Sequence, residues 1–228
     1  DMYPVKHLCI NLGGPGDRRD AKGRLWLSYP RPWGRMRIDL PLQIQLAPEM
    51  SYYRQPAELV NYAGTDVPWV YTSGYRGLLK CTIPVARDED GDALYTVRLG
   101  FVDPDNVKPG RRVFDIKLQG EVVEKGFDIA KAAGGPGRVV EREYRGIRAG
   151  RNVVVELVPR ASKLTSETAP VISSIELVRE RVLSVGMAVP SFTLSDLDKT
   201  SPGARGRNRS AEPRRSPAYH EEIRLDHR

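Results

Sequence analysis

Residues 95–135, YTVRLGFVDPDNVKPGRRVFDIKLQGEVVEKGFDIAKAAGG, hold two alternating strands, a polar loop between them and a tight turn into a third strand. Tyr95, Val97, Leu99 and Phe101 fall on one side of the first strand, and Thr96 and Arg98 on the other. In the second, Phe114, Ile116 and Leu118 oppose Asp115, Lys117 and Gln119. Side chains alternate at period two along a strand, so this pattern predicts a sheet with one buried face. Asp103-Pro104-Asp105-Asn106 and Pro109-Gly110 cannot continue a strand and form a loop. Gln119-Gly120 suits a two-residue hairpin turn into Glu121-Val122-Val123.

Outward from this meander the same signals repeat. Leu8–Leu12 is a predicted strand ending at Gly13-Gly14-Pro15-Gly16, and Leu25-Trp26-Leu27 returns the chain inward. The glycines are read as a turn, because Pro15 lacks an N–H and no Lys-Ser/Thr follows for a phosphate. Met36–Leu46 keeps period two across Pro41, which marks an edge strand or a break. Ser51–Arg54 and Trp69–Gly77 read as aromatic loops, the latter running into a strand at Leu79–Val85. Val139–Tyr144, a turn from Gly146 to Gly150, Asn152–Pro159 and Val171–Val178 complete the strands, and no helical period lasts ten residues through Glu180. Many short strands between Gly/Pro turns predict an all-β sandwich.

The 228 residues carry a formal charge of +7. Residues 199–228 supply +4 of it and lack any apolar period, so a disordered basic tail is expected there. The remaining +3 gives no electrostatic footprint for nucleic acid, and the tail has few aromatics for base stacking. No apolar run approaches the roughly 20 residues of a membrane span, so no membrane insertion is expected. Two buried free thiols are expected at Cys9 and Cys81, with a single disulfide as the alternative. No zinc site is expected of them. His7, His220 and His227 stand in the end segments, so no Ser-His-Asp or Cys-His arrangement is expected in the core.

The meander resembles the malectin-type carbohydrate-binding domains, through Leu99-Gly100-Phe101-Val102-Asp103, Gly110–Ile116, Gln119-Gly120 and Phe127-Asp128-Ile129. Ile10–Gly14, Asp20, Gly23 and Trp26 match the family's N-terminal motif, and Leu157 with Pro170–Leu177 its C-terminal one. The resemblance implies a jelly-roll β-sandwich of the malectin or galactose-binding-like type. It also implies a non-catalytic, extracytoplasmic module of a larger protein, with a glycan or oligosaccharide as partner. The expected organisation is a lead-in at 1–7, the sandwich at 8–182, a linker or the start of a truncated redoxin-like domain at 183–198, and the tail at 199–228. The redoxin likeness rests on Val189–Asp198.

A sugar site combines flat aromatic faces with polar groups that fix hydroxyls. The resemblance points to Tyr71 and Tyr75, and to Asp103 in the loop after Phe101. Tyr52, Tyr53 and Trp69 are further loop aromatics, with Arg54 and Arg76 as polar neighbours. The chain departs from the family at Asp103–Asn106, where no aromatic stands, and at Thr168-Ala169, where an acidic residue is expected. No cofactor is expected: Asp88–Asp92 and Asp103–Asn106 offer oxygens to Ca²⁺ but follow no dedicated calcium-loop spacing, and solvated turns are the preferred reading. Asp115 reads as a structural carboxylate. The alternative function is a structural or protein-interaction sandwich without a sugar site.

Overall fold

A computed structural model describes residues 3–31 and 40–180. The described residues all belong to one compact unit. The predicted linker, redoxin-like strand and basic tail lie outside the described residues, as do Met36 and Ile38. The strands, in chain order, are β1 (His7–Leu12), β2 (Arg18–Arg19), β3 (Leu25–Tyr29), β4 (Gln43–Leu46), β5 (Tyr52–Arg54), β6 (Ser73–Arg76) and β7 (Leu78–Pro84). They continue as β8 (Ala93–Phe101), β9 (Val113–Leu118), β10 (Glu121–Asp128), β11 (Val140–Ala149), β12 (Asn152–Pro159), β13 (Val171–Ile172) and β14 (Ser174–Arg179). A 3₁₀ turn at Pro68–Thr72 precedes β6, and one short helix, α1 (Ile129–Ala133), follows β10.

Two main sheets face each other in the order β11-β8-β14-β1-β3-β2 and β10-β9-β12-β7-β4. Tyr95, Val97, Leu99 and Phe101 of β8, with Ile175 and Leu177 of β14, are buried with Phe114 and Ile116 of β9 and Val153, Val155 and Leu157 of β12 in one core cluster. Phe101, Phe114 and Phe127 stack with centroids 4.9–6.0 Å apart. Period-two apolar strands thus close a sandwich, as the meander predicts. Gln119 and Gly120 both take positive φ, 54° and 85°, which matches the right-handed twist of a two-residue hairpin.

Departures from the sequence reading are local. Tyr52–Arg54 and Ser73–Arg76, expected as loops, pair with Val171–Ile172 in a third, three-stranded sheet, β13-β6-β5. Strands of two to four residues are too short to show a period. Val171–Val178 breaks at Ser173 and passes from that small sheet into the centre of the six-stranded one. Gly146, expected in a turn, is a kink inside β11, where the register shifts between Tyr144 and Ile147. β4 lies at a sheet edge, as Pro41 suggests. Cys9 and Cys81 are both buried free thiols.

Candidate functional site

Polar residues interleaved with the apolar ones must emerge on the outer face of the six-stranded sheet. Cross-strand register lines them up as Glu143 (β11), Arg98 (β8), Glu176 (β14), Cys9 (β1), Trp26 (β3) and Arg18 (β2). Arg98 Nε donates to Glu143 Oε2 at 2.5 Å, and its Nη1 to Glu176 Oε2 at 3.2 Å. Arg24 Nη1 lies 3.5 Å from the same oxygen. Burial opposes the charge of Glu176, but His7, Arg98 and Arg24 outweigh it and hold its carboxyl below the usual range.

Two devices fix this face. Asp20 accepts from the backbone N–H groups of Lys22 and Arg24, from Arg24 Nε at 2.6 Å and from Trp26 Nε1 at 3.0 Å. Burial works against that carboxylate, yet the donors prevail and hold it at about 2. This is the physical content of the Asp20…Gly23…Trp26 motif. The 3₁₀ turn then lays Tyr71 across β8: a side-chain carbon at Gly100 would come within 2.6 Å of Tyr71 Oη and 2.2 Å of Ser174 Oγ. Only a glycine admits so close an approach. Tyr71 Oη donates to Glu141 at 2.8 Å, and its pKa rises through burial and that carboxylate.

Between sheet and cap lies a pocket of about 320 Å³, lined by Lys22, Arg24, Trp26, Asp66, Val67, Tyr71, Arg98, Gly100, Glu141, Ser174 and Glu176. Its three cations and three carboxylates balance, so it presents donors and acceptors without a net charge. That suits a neutral, hydroxyl-rich ligand.

The seven sequence-derived candidates divide. Tyr71 stands at the pocket just described, and Trp69 is packed edge-on to Trp26 at 6.4 Å. Tyr52, Tyr53, Tyr75 and Arg76 share the three-stranded sheet, where Tyr52 packs on Tyr75 at 5.9 Å and Arg76 on Tyr53 at 5.6 Å. Tyr71 and Tyr75 are buried, Tyr53 and Trp69 half-buried, and Tyr52 exposed. Arg76 reaches Asp105 with both contacts under 2.9 Å. Asp103 is bound by Arg112, whose side chain is wholly buried and also donates to Asp105, Ala169 O and Ser166 O. A larger cavity of about 670 Å³ adjoins Asp103, between the 106–109 loop and α1. Its lining has no aromatic ring, and it offers a hydroxyl-rich ligand less than the smaller pocket does. Asp115 accepts from Gly126 N and Arg160 Nε, a structural role.

One expectation is corrected. A histidine does stand beside a cysteine: His7 Nε2 is 3.3 Å from Cys9 Sγ, and 2.6 Å from Glu176 Oε1. Burial and then Glu176 push the Cys9 thiol up to about 12, which keeps it protonated and a poor nucleophile. The cluster is therefore not built for covalent catalysis. Arg24, Arg98, Glu141, Glu176 and His7 are absent from the sequence-derived site. The one signal for Arg98 and Glu176 was the polar phase of β8 and β14, which gives no hint of which strands adjoin.

The family model described as Malectin domain matches residues 57–174. Among curated proteins no relative matches the sequence. Solved structures with a similar fold include the ANX1 ectodomain from Arabidopsis thaliana, at TM-score 0.59 and 17% identity, over 77% of this chain and 48% of that one. The ANX2 ectodomain from the same plant gives 0.58 and 17%, over 77% and 50%. Bacteroides uniformis β-glucuronidase gives 0.56 and 14%, over 77% and 18%. The chain thus spans about half of each ectodomain and under a fifth of the glucuronidase.

Proposed function

The chain belongs to the malectin domain family, a family of carbohydrate-binding or interaction modules, and we propose that it is a non-catalytic glycan-binding module. The observation that carries this is the charge-balanced pocket on the outer face of the six-stranded sheet, walled by Trp26 and Tyr71. Arg98 and Glu176 would fix sugar hydroxyls through charge-assisted hydrogen bonds, while Trp26 and Tyr71 would supply the apolar part of the wall. In this reading the module spans 8–182 of a larger extracytoplasmic protein, followed by a linker or the start of a truncated redoxin-like domain at 183–198 and a basic tail at 199–228.

One observation favours the alternative, an interaction module without a sugar site: Tyr71 and Tyr75 are buried rather than presented to solvent. Glycan-array screening of the full chain, followed by calorimetry, separates the two. The expected result is binding of an oligosaccharide that weakens about tenfold in Arg98→Met, equivalent to roughly 1.4 kcal/mol, and is unchanged in Tyr52→Ala. Loss in Tyr52→Ala or Arg76→Ala instead would move the site to the three-stranded sheet. Absence of binding to every glycan would leave the interaction module.

A further inference from the structure

The outer sheet face carries a second chemical grouping, which shares only Glu176 with the glycan reading. His7 and Cys9 are two residues apart on β1, so both side chains leave the same face. Glu176 is the direct cross-strand partner of Cys9 on β14. These two strands are neighbours inside the six-stranded sheet, flanked by β3 and β8, so the three side chains issue from rigid elements rather than loops.

We propose that His7 Nε2, Cys9 Sγ and Glu176 Oε1 form a binding site for a divalent cation of the zinc class. The argument is first geometric. A tetrahedral zinc ion takes sulfur at about 2.3 Å and nitrogen or oxygen at about 2.0–2.1 Å, which puts neighbouring ligand atoms roughly 3.3–3.6 Å apart. The sulfur here lies 3.3 Å from the imidazole nitrogen and 3.7 Å from the carboxylate oxygen. The third edge, 2.6 Å between Nε2 and Oε1, is a hydrogen bond. It must open by somewhat under 1 Å, and the His7 side chain, 43% exposed, has open space on its solvent side.

The donor set points the same way. One cysteine sulfur, whose proton the bound ion displaces, one imidazole and one carboxylate suit a borderline-soft ion and not Ca²⁺ or Mg²⁺, which take oxygen. Cys9 and Glu176 are buried and wall the site, while the exposed His7 leaves a fourth position open to water, as in open rather than closed zinc sites. Glu176 is also oriented from behind. Its other oxygen, Oε2, is held by Arg98 and Arg24, so Oε1 alone is presented. The charge of those guanidiniums is matched by Glu143 at 2.5 Å and Asp20 at 2.6 Å, so it does not fall undivided on the cation.

The test uses the full chain after chelator treatment, titrated with Zn²⁺ by calorimetry and with Co²⁺ by absorption. The expected result is one ion per chain, with a thiolate-to-Co²⁺ charge-transfer band. Cys9→Ser should abolish that band and weaken Zn²⁺ binding at least about tenfold, and His7→Ala should weaken it comparably. Cys81→Ser, in the core between the sheets, should change neither. His7 is half-exposed, so its loss tests the site without threatening the fold. The proposal is overturned by the absence of stoichiometric binding, by a Co²⁺ spectrum without the thiolate band, or by affinity unchanged in Cys9→Ser and His7→Ala. The variants leave the shared Glu176 in place, and the metal titrations are run without glycan, so failure of the metal site and failure of the glycan reading are told apart.

Discussion

The loop end of the sandwich and the outer face of the six-stranded sheet are both built from arginines and carboxylates, yet they use them differently. At the loop end Arg112 is fully buried and makes contacts to Asp103, Asp105, Ala169 O and Ser166 O, and Arg76 takes the remaining reach of Asp105. These charges are spent on holding loops together. On the sheet face Arg24, Arg98 and Glu176 are also paired and Glu141 is held by Tyr71, but the pocket they border has Trp26 and Tyr71 in its wall. The same residue types thus serve as a fastener in one place and, in the proposed reading, as a recognition surface in the other; both adjoin open space, and what separates them is the aromatic wall that the cavity beside Asp103 lacks.

Three changes would break or sharpen that contrast. The largest effect is expected at the fastener. Arg112→Met leaves Asp103 and Asp105 without their buried cation, and urea denaturation should show a loss of about 3–5 kcal/mol. A loss below 1 kcal/mol would mean that the loops are held by something else. Next comes Gly100→Ala, which drives a methyl group into Tyr71 and Ser174. It should cost roughly 1–3 kcal/mol and should change the near-ultraviolet circular dichroism as the Tyr71 ring is displaced. An unchanged spectrum would refute the close approach.

The smallest effect is at Asp20, and it is pH-dependent. Its folded carboxyl stands at about 2, below the ordinary 3.8, so the folded state favours the charged form. That stabilisation is complete above about pH 4 and is lost as pH falls toward 2. Asp20→Asn should therefore lower stability at neutral pH and flatten the decline across that window. Parallel acid-denaturation curves for the two proteins would show that the Arg24 and Trp26 contacts carry no net stabilisation.

The fold is legible where strands are long enough to alternate. Val97, Leu99, Phe114, Ile116, Val153 and Val155 all point inward as their spacing predicts. The short strands at Tyr52–Arg54 and Ser73–Arg76 are not, because three or four residues show no period. The sheet-face site is written in the same alternation, as Arg98, Ser174 and Glu176 out of phase with their apolar neighbours. What the sequence cannot display is register: His7 and Glu176 are 169 positions apart and touch only because β14 inserts between β1 and β8. Aromatics such as Tyr71 and Tyr75 stand out in a sequence for their size, and size is also what draws them under cover.

The insertion of β14 also dictates the order of assembly during synthesis. β1 leaves the ribosome before both of its sheet neighbours, one of them the last strand described. Until residue 179 has emerged, β1 and β8 each carry an unpaired flank of backbone donors and acceptors, the kind of edge that recruits other chains. The nascent module is therefore held open by its own topology, and the exposed flanks of His7–Leu12 and Ala93–Phe101 are where a chaperone would have to stand guard.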